Sequence, residues 1–319
     1  MNAPRELVNV GELERGTYLG GSDIAALMGV SPWRTPLDVY LAKTGWEPPT
    51  PPRPDPARER RLLRGKRMEP YIIDMLVEDY GIAIDARGHR YVDQDFPFMA
   101  AEIDFEWHDA ADARVRNGEV KTVAVMPGQM NPWGEAGTDE VPIYYAAQAM
   151  WGLGITGREV CQFATLFGMD DLVLYALQRD DDTIAVMRET ARAFWTEHVE
   201  PRVPPPPNTL GDLAKLWPAE RRAKIEATPE ILAALQTHRT LGEKVRVCEQ
   251  GREAVEFLIK EFCQDFAEVI TSDGETVATF KAQSRTNVDA KALKKVAPAV
   301  FADVAYECSY RVLRHKGKE

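Results

Sequence analysis

The chain has 319 residues, 45% of them hydrophobic, and a formal net charge of −11. That length fits one large domain or two ordinary ones, and no apolar run approaches the roughly 20 residues of a membrane helix. The acidic balance excludes a protein that grips nucleic acid by broad phosphate neutralisation. It leaves room for a cleft in which carboxylates hold a cation and a few arginines hold phosphate.

The charge is unevenly spread. Residues 1–208 carry 21 basic and 33 acidic side chains, whereas 209–319 carry 18 and 17. The four cysteines, Cys161, Cys248, Cys263 and Cys308, are scattered without a C-x-x-C pair. That spacing speaks against zinc and predicts reduced thiols in a cytoplasm. The N-terminus lacks an apolar stretch followed by a cleavage site, so no signal peptide is expected.

In chain order, "GGSDIAALMG" predicts a helix with Ser22 as N-cap and Gly29 as stop. "PLDVYLAKTG" is a second short helix ended by glycine. "EPPTPPRPDP" is an exposed loop. A long helix follows from Arg58 to Ile82, with Ile72, Ile73, Leu76, Val77 and Tyr80 as its apolar stripe. Strands are expected at His89–Val92, Met99–Trp107 and Val115–Val125, the last two as an antiparallel pair around "HDAADAR". A helix from Pro142 to Gly152, two strands ("VCQFATLFG" and "LVLYALQRD") and a helix at 182–199 complete a mixed sheet flanked by helices.

"VPPPPN" reads as a stiff linker. The expected division is therefore a domain at 1–203, a linker at 204–208 and a mainly helical extension at 209–319. Within the extension, Pro229–Ile270 reads as one helix. Leu241, Val245, Cys248, Val255, Ile259, Phe262 and Phe266 follow a coiled-coil spacing that His238 and Arg252 interrupt. "EVITSDGETVATFKA" is a hairpin with Asp273-Gly274 at its turn. A last helix is expected from Ala299 to Arg314.

The chemistry concentrates in "NGEVKTV". Residues two apart on a strand share a face, so Glu119 and Lys121 emerge side by side. The sequence holds a second acid-x-Lys triplet, Asp289–Lys291, in a polar, helix-like stretch that reads as solvated surface. Glu119 has company, because a hairpin brings Asp104 of "MAAEIDFEW" alongside it. Two carboxylates from paired strands suit Mg²⁺, a hard ion that prefers oxygen. Glu102 and Glu106 lie two residues either side of Asp104 on the same face, so either could replace or assist it. Residue types and spacing alone leave a surface ion pair open.

An acid followed by Glu-x-Lys on the next strand resembles the core of the PD-(D/E)-x-K nucleases. "GGSDIAALMGVSPWRTPLDVYLAKTG", "RGKRMEP" and "PIYYAAQAMWGLGITG" together resemble the lambda exonuclease, or YqaJ-type viral recombinase, family. The resemblance spans about residues 15–200, with its motifs in family order. It implies an α/β fold of restriction-endonuclease-like type, a mixed β-sheet flanked by helices, here followed by the helical extension with its hairpin.

For the site, it implies metal held by Asp104, Glu119, the Val120 carbonyl and Glu69. Lys121 would serve the attacking water, with Gln148 and Tyr145 beside it. Mg²⁺ is the implied ion, with Mn²⁺ able to substitute. Arg15, Ser22 and Arg34 would hold a DNA 5′ phosphate. In the basic run "RERRLLRGKR", Arg58, Arg61, Arg64 and Arg67 could grip duplex backbone, although a solvated helix face is the commoner fate of such runs. Trp33, Trp46 and Trp151 read as packing residues.

The implied activity is 5′→3′ digestion of one strand of linear duplex DNA in phage-type recombination. Its setting would be the cytoplasm of a bacterium or phage-infected host. The implied partners are a single-strand annealing recombinase and further copies of the chain, in a ring-shaped trimer. An endonuclease with the same metal site, and a non-catalytic end-binding protein, remain open alternatives. The spacing of fifteen positions from Asp104 to Glu119 and the wording "EIDFEW" depart from the family pattern.

Overall fold

The computed structural model describes residues 14–46, 55–108, 114–124, 132–221, 223–306 and 310–316. Most of "EPPTPPRPDP", the core of "HDAADAR", Val125 and Cys308 therefore lie outside the described residues. The chain divides into two compact units, residues 1–216 and 217–319.

The first unit opens with a 3-10 turn at Arg15–Thr17 and the short helices α1 (Gly21–Leu27) and α2 (Pro36–Thr44). The long α3 (Pro56–Tyr80) leads into β1 (Ile84–Val92), β2 (Ala100–His108) and β3 (Val115–Val123). Then come α4 (Ile143–Thr156), β4 (Val160–Phe167), β5 (Asp171–Gln178), α5 (Asp181–Phe194) and α6 (Leu210–Leu216). The five strands form one sheet in the order β1-β2-β3-β4-β5. β3 pairs antiparallel with β2 and parallel with β4, so the sheet is mixed, as expected. A parallel neighbour needs a crossover, and α4 supplies it.

Two apolar clusters sandwich the sheet. One joins α1, α2, α4 and α5 through residues such as Leu19, Ile24, Leu37, Trp151 and Phe194. The other joins Ile72, Ile73 and Leu76 of α3 to Phe105, Leu166 and Leu172. The expected stripe on α3 is narrower than its spacing suggested, since Val77 and Tyr80 are exposed. Phe105 lies across Gly118, where an added Cβ would meet the ring at 2.3 Å. Gly118→Ala is expected to cost about 1–3 kcal/mol through overpacking, read as a lowered melting temperature.

Several element boundaries differ from expectation. α1 is capped at Gly20, not Ser22, because the Gly20 N–H donates to Asp23 Oδ2 at 3.0 Å. Pro142 is the N-cap of α4, and the helix runs on to Thr156. Its interior Gly152 and Gly154 are accepted because Ile103 and Ile184 pack against them. β1 begins five residues before His89, with a bulge between Ile84 and Ala86.

The first unit also extends past the proline run, to Leu216 rather than to residue 203. Pro205 is buried, and Asp212 Oδ2 accepts the Asn208 N–H at 3.0 Å. Asp212 Oδ1 takes the Thr35 hydroxyl at 2.8 Å, and Lys215 pairs with Asp38 at 2.5 Å. These bonds strap α6 to the start of α2, so the prolines form part of a packed surface.

The second unit holds α7 (Pro229–Cys263), a hairpin of β6 (Glu268–Ile270) and β7 (Thr276–Thr279), α8 (Ala290–Val296) and α9 (Pro298–Val304). α7 stops short of the expected Ile270 because Gln264 takes a left-handed φ of 49°. Asp289 caps α8 by accepting the Lys291 and Ala292 N–H groups, so the second acid-x-Lys triplet begins a helix. Helix ends at Val304, well before Arg314.

Candidate active site

β2 and β3 pair from His108↔Val115 to Phe105↔Gly118, and the ladder stops there. One step further, Asp104 would face Glu119. Instead Asp104 Oδ2 accepts the Val120 N–H at 2.8 Å. A carboxylate thus occupies the fork and satisfies a donor that a neighbouring strand would otherwise take.

Alternation along β3 turns Asn117, Glu119 and Lys121 to the face covered by α4. Glu119 is buried, and its Oε1 accepts from Lys121 Nζ at 2.5 Å and from Gln148 Nε2 at 2.7 Å. Lys121 also donates to Gln148 Oε1 at 3.3 Å, and its ammonium lies 4.7 Å from the centre of the Tyr145 ring. Gln148 is held by helix contact: a Cβ on Gly21 of α1 would meet the Gln148 side chain at 2.7 Å and its backbone at 3.1 Å.

The charges at the fork oppose one another. Burial, and then the neighbouring Glu119, push the Asp104 carboxyl well above the usual aspartate range. Burial and Glu119 also raise Glu69, which reaches the site from α3. For Lys121, burial works to lower the pKa, but Glu119 and Asp104 more than offset it and hold the group as ammonium. Raised carboxyls at Asp104 and Glu69 mark a site short of positive charge. Among the described residues, no three His, Cys, Asp or Glu side chains stand ready grouped as a metal cage. The donors that fit a hard cation are the carboxylates of Asp104 and Glu119 with the Val120 carbonyl, a set suited to an ion that keeps several waters. Glu69 stands as an added acid at the rim.

The three acids of β2 have different partners. Glu106 is buried and committed elsewhere, accepting Tyr91 OH at 2.5 Å and Arg158 Nη2 at 2.8 Å, with His89 at 3.1 Å. Glu102 is exposed and paired with Arg90. Asp104 alone of the three is bonded to β3 at the Glu119–Lys121 segment.

Glu69, Lys121 and Gln148 line a cleft of about 770 Å³, and so do Arg15, Ser22 and Arg34. Arg15 Nη2 donates to Ser22 Oγ at 2.7 Å, and Arg34 Nη1 to Asp23 Oδ1 at 2.6 Å. Asp23, in the first turn of α1, organises this end. It is buried, and it also takes the buried Lys43 at 2.8 Å and lies 3.7 Å from Arg15. Burial works to raise its pKa, but Lys43, and then Arg15, bring the carboxyl below the usual value. Neither Asp23 nor Lys43 was singled out from sequence. The one available signal was an acid three residues after Gly20, the capping-box spacing.

The basic run divides. Arg61 lines the cleft with Gly65 and Glu69, four residues apart along α3. Arg64 and Arg67 are exposed but are not among the cleft's lining residues, as their offset around the helix requires. Arg58 belongs to α3, and its side chain lies outside what is described. Trp151 is a packing residue whose Nε1 donates to Ala100 O at 2.9 Å. Trp33 departs from that expectation: it is 61% exposed and sits in the cleft wall, edge-on to Tyr144 at 4.7 Å.

Residues 12–159 match the family model described as YqaJ-like viral recombinase domain. A curated relative, the uncharacterized protein YqaJ of Bacillus subtilis (strain 168), is 23% identical over 310 residues, covering 94% of this chain and 91% of its own. Among solved structures, the alkaline exonuclease LHK-Exo of Laribacter hongkongensis overlays with a TM-score of 0.41. Its identity is 17%, over 59% of this chain and 91% of that one. A phage related exonuclease from Haemophilus somnus 129PT gives 0.36 and 12%, over 56% and 92%. No helix among the described residues is long and apolar enough to cross a membrane.

Proposed function

We propose that the chain is a divalent-metal-dependent deoxyribonuclease that digests one strand of linear duplex DNA from a 5′-phosphorylated end. The observation that carries this is the fork, where Asp104 reaches across to the Val120 N–H beside the Glu119–Lys121–Gln148 cluster.

Asp104, Glu119 and the Val120 carbonyl would hold Mg²⁺, or Mn²⁺ in its place. The ion would lower the pKa of a bound water and offset charge on the phosphate. Lys121, kept as ammonium, donates hydrogen bonds to the water and to the oxygens on which negative charge builds. Gln148 holds Lys121 and Glu119 in register, and Tyr145 shields the ammonium from solvent. Glu69 adds negative charge at the rim. Arg15 and Arg34, steadied by Asp23 and joined by the Ser22 hydroxyl, would take a terminal phosphate through charge-assisted hydrogen bonds. Arg61 would meet the duplex backbone.

A phosphate-binding end within the same cleft favours action at termini over internal cleavage. The family domain supports a place in recombination, with a single-strand annealing protein receiving the exposed strand and further copies of the chain enclosing the duplex.

The test compares three duplexes in Mg²⁺: 5′-phosphorylated linear, 5′-hydroxyl linear and covalently closed circular. Mononucleotides are expected from the first, slower release from the second and none from the third. Cleavage of the circle would replace this reading with an endonuclease, and inertness on all three with tight end binding would leave a binding protein.

A further inference from the structure

α7 is 35 residues long, about 52 Å at 1.5 Å per residue. Leu241, Val245, Val255, Ile259 and Phe262 on it are all exposed, as is Cys248. Among the described residues, neither of the two apolar clusters that sandwich the sheet includes a residue of the second unit. A helix with so little of its apolar surface buried lacks the packing that supplies most helical stability in proteins.

The exposed residues follow a rule. From Leu241 the steps to Val245, Cys248, Arg252, Val255, Ile259 and Phe262 alternate four and three, the seven-residue repeat of a coiled-coil seam. Such a seam is buried only by another helix of the same repeat.

Two glycines make a second, independent observation. Gly242 and Gly251 interrupt the helix beside the seam, and an added Cβ at either would meet nothing within 4 Å. Each costs the helix about 1 kcal/mol relative to alanine, and nothing among the described residues requires it. A closely approaching backbone would.

We propose that α7 pairs with α7 of a second copy of this chain, parallel and in register. Charge favours that occupant. Acidic and basic side chains nearly balance along α7, so two copies do not repel. Parallel pairing sets Lys244, before the seam residue Val245, against Glu249 of the partner, after its Cys248. That is the flanking ion pair of a parallel coiled coil. DNA is disfavoured, because basic and acidic side chains in the second unit nearly balance. Arg252 is the polar seam residue that fixes register at some cost in stability.

In this arrangement Cys248 faces its own counterpart. The full-length protein, carrying Cys308→Ser, is treated with diamide, which removes one hydrogen from each of two thiols to join them. A covalent dimer on non-reducing gels is expected, absent in Cys248→Ser. Val245→Glu/Ile259→Glu on the seam should abolish it. Val247→Glu/Phe257→Glu, equally exposed but off the seam, should leave it intact. Failure to cross-link, or equal loss in both double variants, would overturn the proposal and point to a different partner or to cover by the chain's own first unit. Nuclease activity plays no part in the readout.

Discussion

Asp104→Asn is expected to abolish digestion of linear duplex, by about 10³-fold or more, while raising the melting temperature in EDTA. The Asn carbonyl can still accept the Val120 N–H, and its amide adds no charge to the fork. The stability gain follows from the sign of the pKa shift. Asp104 is pushed well above its ordinary 3.8 when folded, so the folded state holds its proton more tightly than the unfolded chain does. Stability is therefore lost as pH rises from that value through the folded pKa, a loss that the uncharged Asn does not suffer. A gain of about 1 kcal/mol moves the melting temperature by about 2–4 °C. The advantage should vanish at pH 3.8, the ordinary aspartate value, and below. Adding Mg²⁺ should stabilise the wild type and leave the variant unmoved. Thermal melts across pH, with and without the ion, check all three statements. Equal Mg²⁺ stabilisation of both proteins would remove Asp104 from the metal site.

Asp23→Ala should produce the largest loss of stability. The carboxylate is buried among Lys43, Arg34 and the Gly20 N–H, and the Lys43 side chain is only 2% exposed. Removing one partner of a buried pair leaves the other charge without compensation, at about 3–5 kcal/mol. The pKa of Asp23 lies below its ordinary value of 3.8 when folded, so its contribution is complete above that value and is lost as pH falls through the lowered one. Denaturant titrations of wild type and variant should therefore differ most at neutral pH and converge in strong acid. Asp23→Asn keeps the shape and one acceptor. It should fold better, yet lose the preference for a 5′ phosphate over a 5′ hydroxyl, because Arg15 and Arg34 lose their shared anchor.

The parts of the site that lie close in sequence were legible there. Alternation on one strand put Glu119 beside Lys121, and the family resemblance pointed to Gln148, Arg15, Ser22 and Arg34, which line one cleft. The acid on β2 was ambiguous among Glu102, Asp104 and Glu106, because a period of two cannot separate residues that share it. The end of the ladder at Phe105↔Gly118 separates them, and pairing register is a tertiary property. Asp23 and Lys43 stand twenty residues apart on different helices. Lys43, at the end of α2, carries the pattern of an ordinary C-terminal helix charge. The proline run looked like a spacer because its composition reports stiffness, whereas its packing depends on Asp212 and Thr35, distant in sequence.

The fork between β2 and β3 has a cost beyond the site. Where β3 leaves, the start of β2 presents its backbone to whatever comes next. Asp93 takes the Met99 carbonyl on one side, so Phe98 O and the Ala100 N–H point to the other, and there Leu19 bonds both, at 2.7 and 3.0 Å. The segment before α1 thus plugs an open strand edge, the kind of surface through which sheets of separate molecules join. Shortened versions of the chain that begin after Leu19 should therefore precipitate during expression even with every site residue but Arg15 retained.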